Sequence, residues 1–306
     1  MRKKDLSNLR RLPAFDLPPK RVISLVPSMT ESILRLGLGD SLVGITDYCI
    51  YPEGLVNAYP RVGGPKSIRV GDVLALQPDL IIANQEENSP EDIEALVEAG
   101  GRVWVTFPKT VREALTDLWD LVHLFARDRA FQTLRVLERS VEIAELAASE
   151  RRRLRYFCPI WEEEHPRYGR WWMTFNHDTY SSDLLHLVGG DNVFADRERR
   201  YPLEAELGET LGEPAGARDV RYPRVSLEEV LRADPEVIIV PSEPYPYQPE
   251  DCDRLTEIFA ETTAAQLGRI YYVDGSLITW PGVRLGEALA QLPPLFESAE
   301  STSTEE

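Results

Sequence analysis

The stretch VLALQPDLII, from Val73 to Ile82, decides the fold, because it returns later in the chain as VLRADPEVII, from Val230 to Ile239. The tripeptide Pro90-Glu91-Asp92 returns in the same way as Pro249-Glu250-Asp251, at nearly the same offset. In each copy a helical pattern runs into a proline, a β-branched strand follows, and a second helix begins after a short loop. The repeat predicts two similar α/β lobes. The alternative interpretation is that any two strand–helix–strand units look this much alike.

Further apolar strands alternate with helical patterns on either side of this repeat. After one of them, Ile93, Leu96 and Val97 fall on a single helix face, and Gly100-Gly101 ends the helix. Strands separated by helices of this length predict parallel sheets flanked by helices. The predicted strands are Arg21–Val26, Leu42–Thr46, Leu80–Ala83, Arg102–Phe107, Glu236–Val240 and Arg269–Val273.

A long amphipathic helix is predicted from Ala126 to Arg153, because this segment lacks Gly and Pro and its apolar residues recur at helical spacing. It would span roughly 40 Å, enough to join two lobes as a rigid spine. We expect the ligand in the cleft between the lobes, outside the carboxyl ends of the parallel strands. The predicted boundaries are an N-terminal extension at 1–20, an N-terminal lobe at 21–125, the linking helix at 126–153, a C-terminal lobe at 154–294 and a disordered acidic tail at 295–306.

The composition is that of an acidic globular protein, with 34 Lys and Arg against 51 Asp and Glu in 306 residues and a formal net charge of −17. Such a balance repels phosphate backbones and argues against a nucleic-acid partner. No apolar run reaches the roughly 18 residues of a membrane span, and the start of the chain lacks the apolar core of a signal peptide. The sequence as given therefore predicts a cytoplasmic protein, which we expect to be a monomer. If the true start lies upstream, the protein would be extracytoplasmic.

The signals for an enzyme are weak. The chain has no His-Glu-x-x-His motif, no Gly-x-Ser-x-Gly motif and no glycine-rich dinucleotide motif after a strand. We therefore predict no catalytic residues, no metal ligands and no intrinsic cofactor. The alternative is a metal-dependent enzyme that uses Glu164, His165, His177 and Asp178 as donors.

Aromatic and polar residues are concentrated in loops that follow predicted strands. At the first strand end, Ser28 and Glu31 fit a capping box, and the alternative is that Ser28 and nearby backbone amides contact a ligand. Together these loops predict a large, flat, partly apolar ligand held by ring faces and a few hydrogen bonds. The loops are Asp47–Pro52, Gly63–Lys66, Asn84–Asn88 and Ser242–Tyr247, with further aromatic groups at Trp171–Met173 and Trp280–Gly282.

Several strings also carry a resemblance to a known family. They are RVISLVPSMTESILRLGLGDSLVGITDYCIYP at 21–52, RVGG at 61–64, VLALQPDLIIA at 73–83, LLHLVGGDNVF at 184–194 and YPRVSLEEVLRADPEVIIV at 222–240. With them the chain resembles the helical-backbone, or class III, solute-binding proteins of bacterial ABC importers for cobalamin, haem and iron siderophores, and most of all the cobalamin-binding branch. The resemblance implies two lobes on one long helix and no catalysis. It implies a metal-containing macrocycle or chelate as ligand, a corrinoid first and an iron siderophore or haem next.

The resemblance also implies roles for individual residues. Tyr48 is similar to the tyrosine that packs against the corrin ring in cobalamin binders, and Ser28 and Thr30 would line the floor of the site. In the second lobe, Trp172 or Met173 lies in the region where the family presents an aromatic ring. Tyr222 lies near another such position.

Two departures from the family pattern leave the identity of the ligand open. Pro65-Lys66 stands where the cobalamin binder has a tryptophan, and Ser276-Leu277 stands where an aspartate and a tryptophan are expected, with Trp280 a few residues on. The full set of predicted ligand-binding residues is Ser28, Thr30, Tyr48, Lys66, Gln85, Trp172, Met173, Tyr222, Tyr245 and Trp280.

Glu91 and Glu250 occupy the places where the family docks on its permease, through one glutamate per lobe. The alternative interpretation is local, because an acidic residue in the first turn of a helix is favourable by about 0.3 to 1 kcal/mol. Without a permease, the protein would be a cytoplasmic carrier or sensor of a metal chelate.

Overall fold

The structure, a computed structural model, describes residues 6–208 and 210–297, and the chain forms two compact units. The first unit contains the chain up to Arg139 together with Trp280–Leu285. The second contains the described residues of Ser140–Thr279 and those from Gly286 to Glu297. Among the helices in these ranges, none is both long enough and apolar enough to cross a membrane.

The first unit is built on a four-stranded sheet with the order β2-β1-β5-β6, in which all neighbours are parallel. The central strand β5 is buried along its whole length, as expected for a β-branched strand covered on both faces. The elements are β1 (Val22–Ser24), α1 (Pro27–Arg35), β2 (Leu42–Ile45), β3 (Gly63–Gly64), β4 (Ser67–Ile68), α2 (Val70–Ala75), β5 (Leu80–Asn84), α3 (Pro90–Glu98), β6 (Val103–Thr106) and α4 (Val111–Phe125), followed by α5 (Asp128–Ser149), with 3-10 turns at Ser7–Leu9, Gly39–Ser41 and Leu55–Ala58.

The second unit repeats this plan with a parallel sheet of order β10-β7-β12-β13 and adds a three-stranded antiparallel sheet of order β11-β9-β8. The predicted fold class, α/β units with parallel sheets flanked by helices, is confirmed. The elements are β7 (Leu154–Phe157), β8 (Trp161–His165), β9 (Gly169–Met173), α6 (Tyr180–Leu187), β10 (Gly190–Asn192), α7 (Leu203–Leu207), β11 (Arg224–Ser226), α8 (Leu227–Ala233), β12 (Val237–Pro241), α9 (Asp251–Ile258), α10 (Thr263–Gln266), β13 (Ile270–Val273), α11 (Ser276–Thr279), α12 (Leu285–Gln291) and a 3-10 turn at Pro293–Phe296.

The repeat extends to the backbone conformation of its turns. Gln77 and Asp234, which occupy equivalent positions of the two copies, have positive φ angles of 47° and 43°. Non-glycine residues rarely adopt this conformation. Its recurrence shows that both copies have the same type of turn between a helix and the next strand. Ser226 and Glu229 form a capping box at the start of α8.

The side chains that hold this turn recur as well. Arg21, just before β1, donates to the carbonyl of Leu76 at 2.6 Å, and Arg155 of β7 donates to the carbonyl of Ala233. Both arginines therefore satisfy carbonyls at the end of a helix, where the backbone has unpaired acceptors. The two units share an architecture down to individual hydrogen bonds.

The predicted helix from Ala126 to Arg153 is shorter in the structure, and it runs from Asp128 to Ser149 as α5. Ala126 is left-handed, with φ of 49°, and its N–H bonds to the carbonyl of Val122, so it ends α4 rather than starting α5. A sequence without Gly or Pro gives no sign of this break. The division between the two units falls inside α5, after Arg139.

Both ends of the described chain pack more closely than the sequence predicts. Leu6 lies in the core of the first unit, so the predicted N-terminal extension is partly integrated into it. Phe296, inside the predicted disordered tail of 295–306, is buried in the second unit with its ring 5.8 Å from that of Tyr156. The remainder of that tail, from residue 298, lies outside the described residues.

Candidate functional site

Helix α1 follows β1 after two residues, so it begins at the carboxyl edge of the first sheet. The predicted capping box is wrong, because α1 starts at Pro27 with no side-chain cap and Glu31 points elsewhere. Arg284 donates hydrogen bonds to both oxygens of the Glu31 carboxylate, each at 2.8 Å. Arg35 contributes a third contact at 2.8 Å. A fully buried carboxylate needs a strong cationic partner, and one backbone N–H does not replace it.

Ser28 and Thr30, the predicted floor residues, are both buried on α1. The Ser28 hydroxyl has no hydrogen-bond partner among the described residues, so it retains a donor and an acceptor. Thr30 is different, because its hydroxyl lies 3.1 Å from the sulfur of Cys49 in the interior. Thr30 therefore supports the neighbouring loop, and its assignment as a ligand contact stays a prediction.

That loop, Asp47–Pro52, is called here the Tyr48 loop. The Tyr48 side chain is 65% exposed and that of Ile50 is 52% exposed, whereas Cys49 between them is fully buried. The Cys49 N–H bonds to the carbonyl of Thr46 at 3.2 Å and closes a turn that leaves Tyr48 outside. The loop presents an exposed aromatic ring beside an exposed aliphatic side chain.

Hydrogen bonds from the partly buried Arg61 and around the buried Cys49 fix the backbone of the Tyr48 loop. Arg61 Nη1 donates to the carbonyls of Thr46 at 2.7 Å and Cys49 at 3.0 Å. The Cys49 sulfur lies 3.1 Å from the hydroxyls of both Thr30 and Thr46. Burial raises the pKa of the Cys49 thiol, so the thiol stays neutral and shares hydrogen bonds with both hydroxyls.

Lys66 and Gln85 lie in two further loops of this unit, and each already has a partner. The Lys66 ammonium group donates to the carbonyl of Glu86, which ties the β3–β4 hairpin to the loop after β5. The Gln85 amide oxygen accepts hydrogen bonds from Arg10 Nε at 3.2 Å and Nη2 at 2.6 Å. The Lys66 side chain is exposed, while Gln85 is half-buried under Arg10.

Trp280 was assigned to the second lobe, and the structure corrects this, because Trp280–Leu285 belongs to the first unit. We call these six residues the return segment. The Trp280 ring packs edge-on against Tyr51 of the Tyr48 loop, with ring centroids 5.7 Å apart. The guanidinium carbon of Arg284 lies 4.0 Å from the centre of the Tyr51 ring. The return segment thus supports the loop that presents Tyr48.

In the second unit, Trp172, which the sequence predicts as a ligand contact, lies in the core. Trp172 is fully buried in the core, its ring 4.8 Å from that of Phe259, and its indole N–H donates to Glu162 at 3.1 Å. It has no exposed ring face. Its neighbour Met173 is half-buried at the end of β9.

An exposed aromatic group does exist in this unit, at Trp161, which sequence reasoning missed. Trp161 is 40% exposed and packs edge-on against Tyr245, with ring centroids 5.5 Å apart. Trp161 follows β7 and Tyr245 follows β12, and these two strands are neighbours in the sheet. We call this pair the Trp161 platform. Its place directly after the largely apolar stretch LRYFCPI at 154–160 was the signal that could have identified it.

Glu162 fixes the residues on which the Trp161 platform packs. Its carboxylate forms an ion pair with Arg254 at 2.8 Å and also accepts from the indole N–H of Trp172. The Tyr247 hydroxyl lies 3.5 Å away, and burial raises the pKa of Tyr247 far above its usual range. The Tyr245 ring packs on Tyr247 at 4.5 Å, so the platform stands on a fixed polar base.

The other predicted residues of the second unit have structural neighbours of their own. Tyr222 is half-buried, with the guanidinium carbon of Arg221 5.3 Å from its ring centre. The donors of the metal-enzyme alternative are engaged separately: His165 stacks on Tyr168 at 4.9 Å, and His177 Nδ1 lies 2.6 Å from the carbonyl of Ala195. In the part of the chain that the structure describes, no group of three or more His, Cys, Asp or Glu could hold a metal ion.

Glu91 and Glu250 occupy matching exposed positions at the starts of α3 and α9. Glu91 lies in the first turn of α3 and accepts a hydrogen bond from Ser89 at 2.9 Å. Glu250 directly precedes α9 and makes no capping bond with its side chain. The two positions are equivalent in the repeat, as the sequence predicts.

Comparisons with known proteins agree with this architecture. A vitamin B12-binding protein of Vibrio cholerae serotype O1 is 29% identical over 226 residues, which are 74% of this chain and 71% of the relative. A vitamin B12-binding protein of Yersinia pseudotuberculosis serotype IB is 29% identical over 236 residues, 77% of this chain and 73% of the relative.

Solved structures give the same result for the fold. The periplasmic vitamin B12 binding protein BtuF of Vibrio cholerae has a TM-score of 0.70 and 25% identity, covering 91% of this chain and 97% of that one. The periplasmic heme-binding protein RhuT from Roseiflexus sp. RS-1 has a TM-score of 0.66 and 22% identity, covering 90% and 97%. The family resemblance found in the sequence is confirmed. Because the model of the periplasmic binding protein family matches residues 22–277, the chain belongs to that family.

Proposed function

We propose that this protein is a receptor for a metal-containing macrocycle or chelate, with a corrinoid as the first candidate. One observation carries the proposal: the first unit presents the exposed Tyr48 ring on a loop whose backbone is held by partly buried hydrogen bonds from Arg61. The relatives that are named as vitamin B12-binding proteins support a corrinoid. An iron siderophore or haem comes next.

The physical basis is a flat ligand on a fixed aromatic surface. A ring face and a neighbouring aliphatic side chain remove apolar ligand surface from water, and a loop that is already ordered loses little conformational freedom on binding. Arg61 and Cys49 supply that order before the ligand arrives. The unpartnered Ser28 hydroxyl of the same unit can add a polar contact.

We expect Tyr48→Ala to abolish most of the thermal stabilisation that cyanocobalamin gives to the wild-type protein. At one hundred times its dissociation constant, a bound ligand stabilises by about 2.7 kcal/mol. Because the Tyr48 side chain is mostly exposed, its removal leaves the unliganded protein close to wild-type stability. The measurement is a thermal-shift titration, preceded by a visible spectrum for any co-purified chromophore.

Leu267→Ala is the matched control. Leu267 is 57% exposed and is the C-cap of α10, in the turn that leads to the amino end of β13. Its replacement should leave the ligand shift intact. A Tyr48→Ala protein that kept the full shift would contradict the proposed site.

We further propose that the protein delivers its ligand to an ABC permease, with Glu91 and Glu250 as the docking residues. Their equivalent, exposed positions on α3 and α9 support this, since one carboxylate per unit can meet two basic sites on a symmetric partner. A receptor in this role works outside the cytoplasmic membrane, so docking and extracytoplasmic location stand together. A cytoplasmic chelate carrier needs neither glutamate.

The expected result for the double variant Glu91→Ala/Glu250→Ala is unchanged ligand affinity with uptake of labelled ligand reduced roughly tenfold or more, because charged pairs that dock partners contribute several kcal/mol. The measurement is transport in cells that contain the permease, together with fractionation to locate the protein. Glu98→Ala/Glu257→Ala, which removes one exposed glutamate from the other end of each helix, is the control. Equal uptake by both double variants would refute docking through Glu91 and Glu250.

A further inference from the structure

The second unit contains a group of arginines on the segment that joins β10 to β11. This segment leaves the sheet at the carboxyl end of β10, the same edge at which the Trp161 platform lies. The backbone N–H of Arg199 bonds to the carbonyl of Val220 at 2.8 Å, and Asn176 N–H bonds to the carbonyl of Arg221 at 2.8 Å. The arginines are therefore fixed to the main body of the unit.

Most of these arginines are neutralised by a carboxylate. Arg224 donates to Glu206 at 2.5 Å. Arg221 forms an ion pair with Asp219 at 2.5 Å, and Arg197 forms one with Glu229 at 3.1 Å. In each pair the cation and the anion are held in direct contact, so these guanidinium groups have their anionic partners within the protein.

Arg199 differs from its neighbours. Its Nε is buried and makes no hydrogen bond with any residue within 6–208 or 210–297. The Nη2 of Arg197 also lacks a partner in these ranges, but Arg197 is paired with Glu229 through its Nε. The nearby carboxylates of Glu206 and Asp219 are already bonded to Arg224 and Arg221. Burial, and secondly the like charge of Arg224, lower the pKa of Arg199. A donor that is desolvated without a partner costs free energy, and an anionic oxygen would recover it.

Tyr201 holds Arg199 in place. The guanidinium carbon of Arg199 lies 5.1 Å from the centre of the Tyr201 ring, and that of Arg218 lies 4.3 Å from it. The Tyr201 hydroxyl donates to the carbonyl of Asp219 at 2.6 Å, which fixes the ring. Arg224 also lies over this ring, at 6.0 Å, so three guanidinium groups surround Tyr201. Arg218 forms a half-exposed pair with Glu213 at 3.4 Å. A planar group fixed on a ring in this way loses little freedom when it binds.

We propose that Arg199, with Arg218 beside it on Tyr201, binds an anionic oxygen group of the ligand, a carboxylate or a phosphate. The proposal deepens the chelate-receptor function and rests on it for the identity of the ligand. Guanidinium groups match both anions in geometry and bind them through charge-assisted hydrogen bonds. Because the chain as a whole carries a net charge of −17, free anions are repelled at long range. An anion attached to a large apolar body, which the Trp161 platform of the same unit can contact, is the ligand that this combination favours.

The anion site is tested first without any chelate, by titrating inorganic phosphate into the full chain labelled with ¹⁵N in its arginine side chains. We expect the Nε–H resonances of Arg199 and Arg218 to shift saturably, with the Arg199→Gln protein used to assign Arg199. In that variant the Arg218 shift should fall roughly tenfold or more at equal phosphate, as the loss of a charge-assisted contact predicts. Potassium chloride at matched ionic strength separates binding from screening.

Arg232 supplies the internal control, because it is exposed on α8 and forms an ordinary surface pair with Glu228. Shifts of Arg232 that equal those of Arg199, or no saturable shift of Arg199, would overturn the proposal. The wild-type titration needs no variant to fold. If Arg199→Gln does not fold, Arg199→Lys assigns the resonance and should retain weaker phosphate binding.

A second measurement identifies the source of the anion. Cyanocobalamin carries a phosphodiester that dicyanocobinamide lacks, so Arg199→Gln should weaken binding of cyanocobalamin roughly tenfold and leave dicyanocobinamide within about twofold. Haem and its dimethyl ester are the matched pair for a carboxylate. An equal loss for both members of a pair would make Arg199 a structural support and refute the proposal. If the wild-type protein binds neither corrinoid nor haem, the proposed function fails, and the phosphate titration still decides the anion site.

Discussion

Replacing Arg284 by methionine is expected to lower the free energy of unfolding by about 3 to 5 kcal/mol, because it leaves the buried Glu31 carboxylate without its main partner. Arg284 contacts both oxygens of that carboxylate, and the side chains are only 4% and 1% exposed. The half-exposed Arg35 retains one contact, so the loss should fall toward the lower end of this range. Chemical denaturation at neutral pH measures it.

The double variant Glu31→Met/Arg284→Met separates the pair from its surroundings. A buried ion pair can often be replaced by apolar residues of similar volume at little cost, so the double variant should be more stable than Arg284→Met alone. Arg232→Met, which breaks the exposed pair with Glu228, should cost less than about 1 kcal/mol. A single Arg284→Met variant as stable as the wild type would refute a structural role for this contact.

The same change should also affect the binding surface. Arg284 lies over the rings of Tyr51 and Trp280, and Tyr51 belongs to the Tyr48 loop. Loss of the guanidinium removes one of the supports of that loop. The return segment therefore links the stability of the first unit to the shape of its exposed aromatic surface.

The parallel sheets could be predicted from the sequence because their signals are local. A run such as LIIA in β5 is apolar at every position, and it lies between helical patterns, so both its strand character and its burial can be recognised directly. The repeat strengthened the prediction. Gln77 and Asp234 show how closely the two copies follow one another.

The contacts that tie distant segments together could not be predicted in this way. Glu31 and Arg284 are separated by 253 positions, and a glutamate in the first turns of a helix fits a capping box equally well. The burial of Glu31 decides between a capping role and the pair with Arg284, and burial cannot be predicted from the local sequence. For the same reason Trp280 was assigned to the wrong lobe, since the chain gives no sign that it returns to the first unit.

There is a more specific reason why the sequence does not show that Trp172 is buried and Trp161 is exposed. In an antiparallel sheet the inward or outward direction of every side chain depends on register, and β9 lies between β8 and β11. The sequence contains two tryptophans at 171 and 172 and a third at 161, without fixing which face each one takes. The packing of Trp172 against Phe259 and its bond to Glu162 decide the matter.

The two tryptophans are accordingly expected to give opposite results on truncation. Trp172→Ala should lower the free energy of unfolding by about 3 to 5 kcal/mol, because it opens a cavity in the core. It also removes the indole donor of Glu162, which leaves part of a buried carboxylate unsatisfied. Trp161→Ala should change stability by less than about 1.5 kcal/mol, since only its partly exposed contact with Tyr245 is lost.

Ligand affinity should follow the reverse order. If the Trp161 platform contacts the chelate, Trp161→Ala weakens binding of cyanocobalamin roughly fivefold to thirtyfold, the range of 1 to 2 kcal/mol typical of an aromatic contact at a binding surface. Titration at a temperature where both variants are folded separates affinity from stability, and Trp161→Phe, which keeps a ring, should recover most of the binding. The opposite outcome is a Trp161→Ala protein with wild-type affinity and a stable Trp172→Ala protein that no longer binds. That result would favour Trp172 as the ligand contact, as the sequence predicts. The buried Trp172 ring could then reach the ligand only after the β8–β9 hairpin rearranged to expose it.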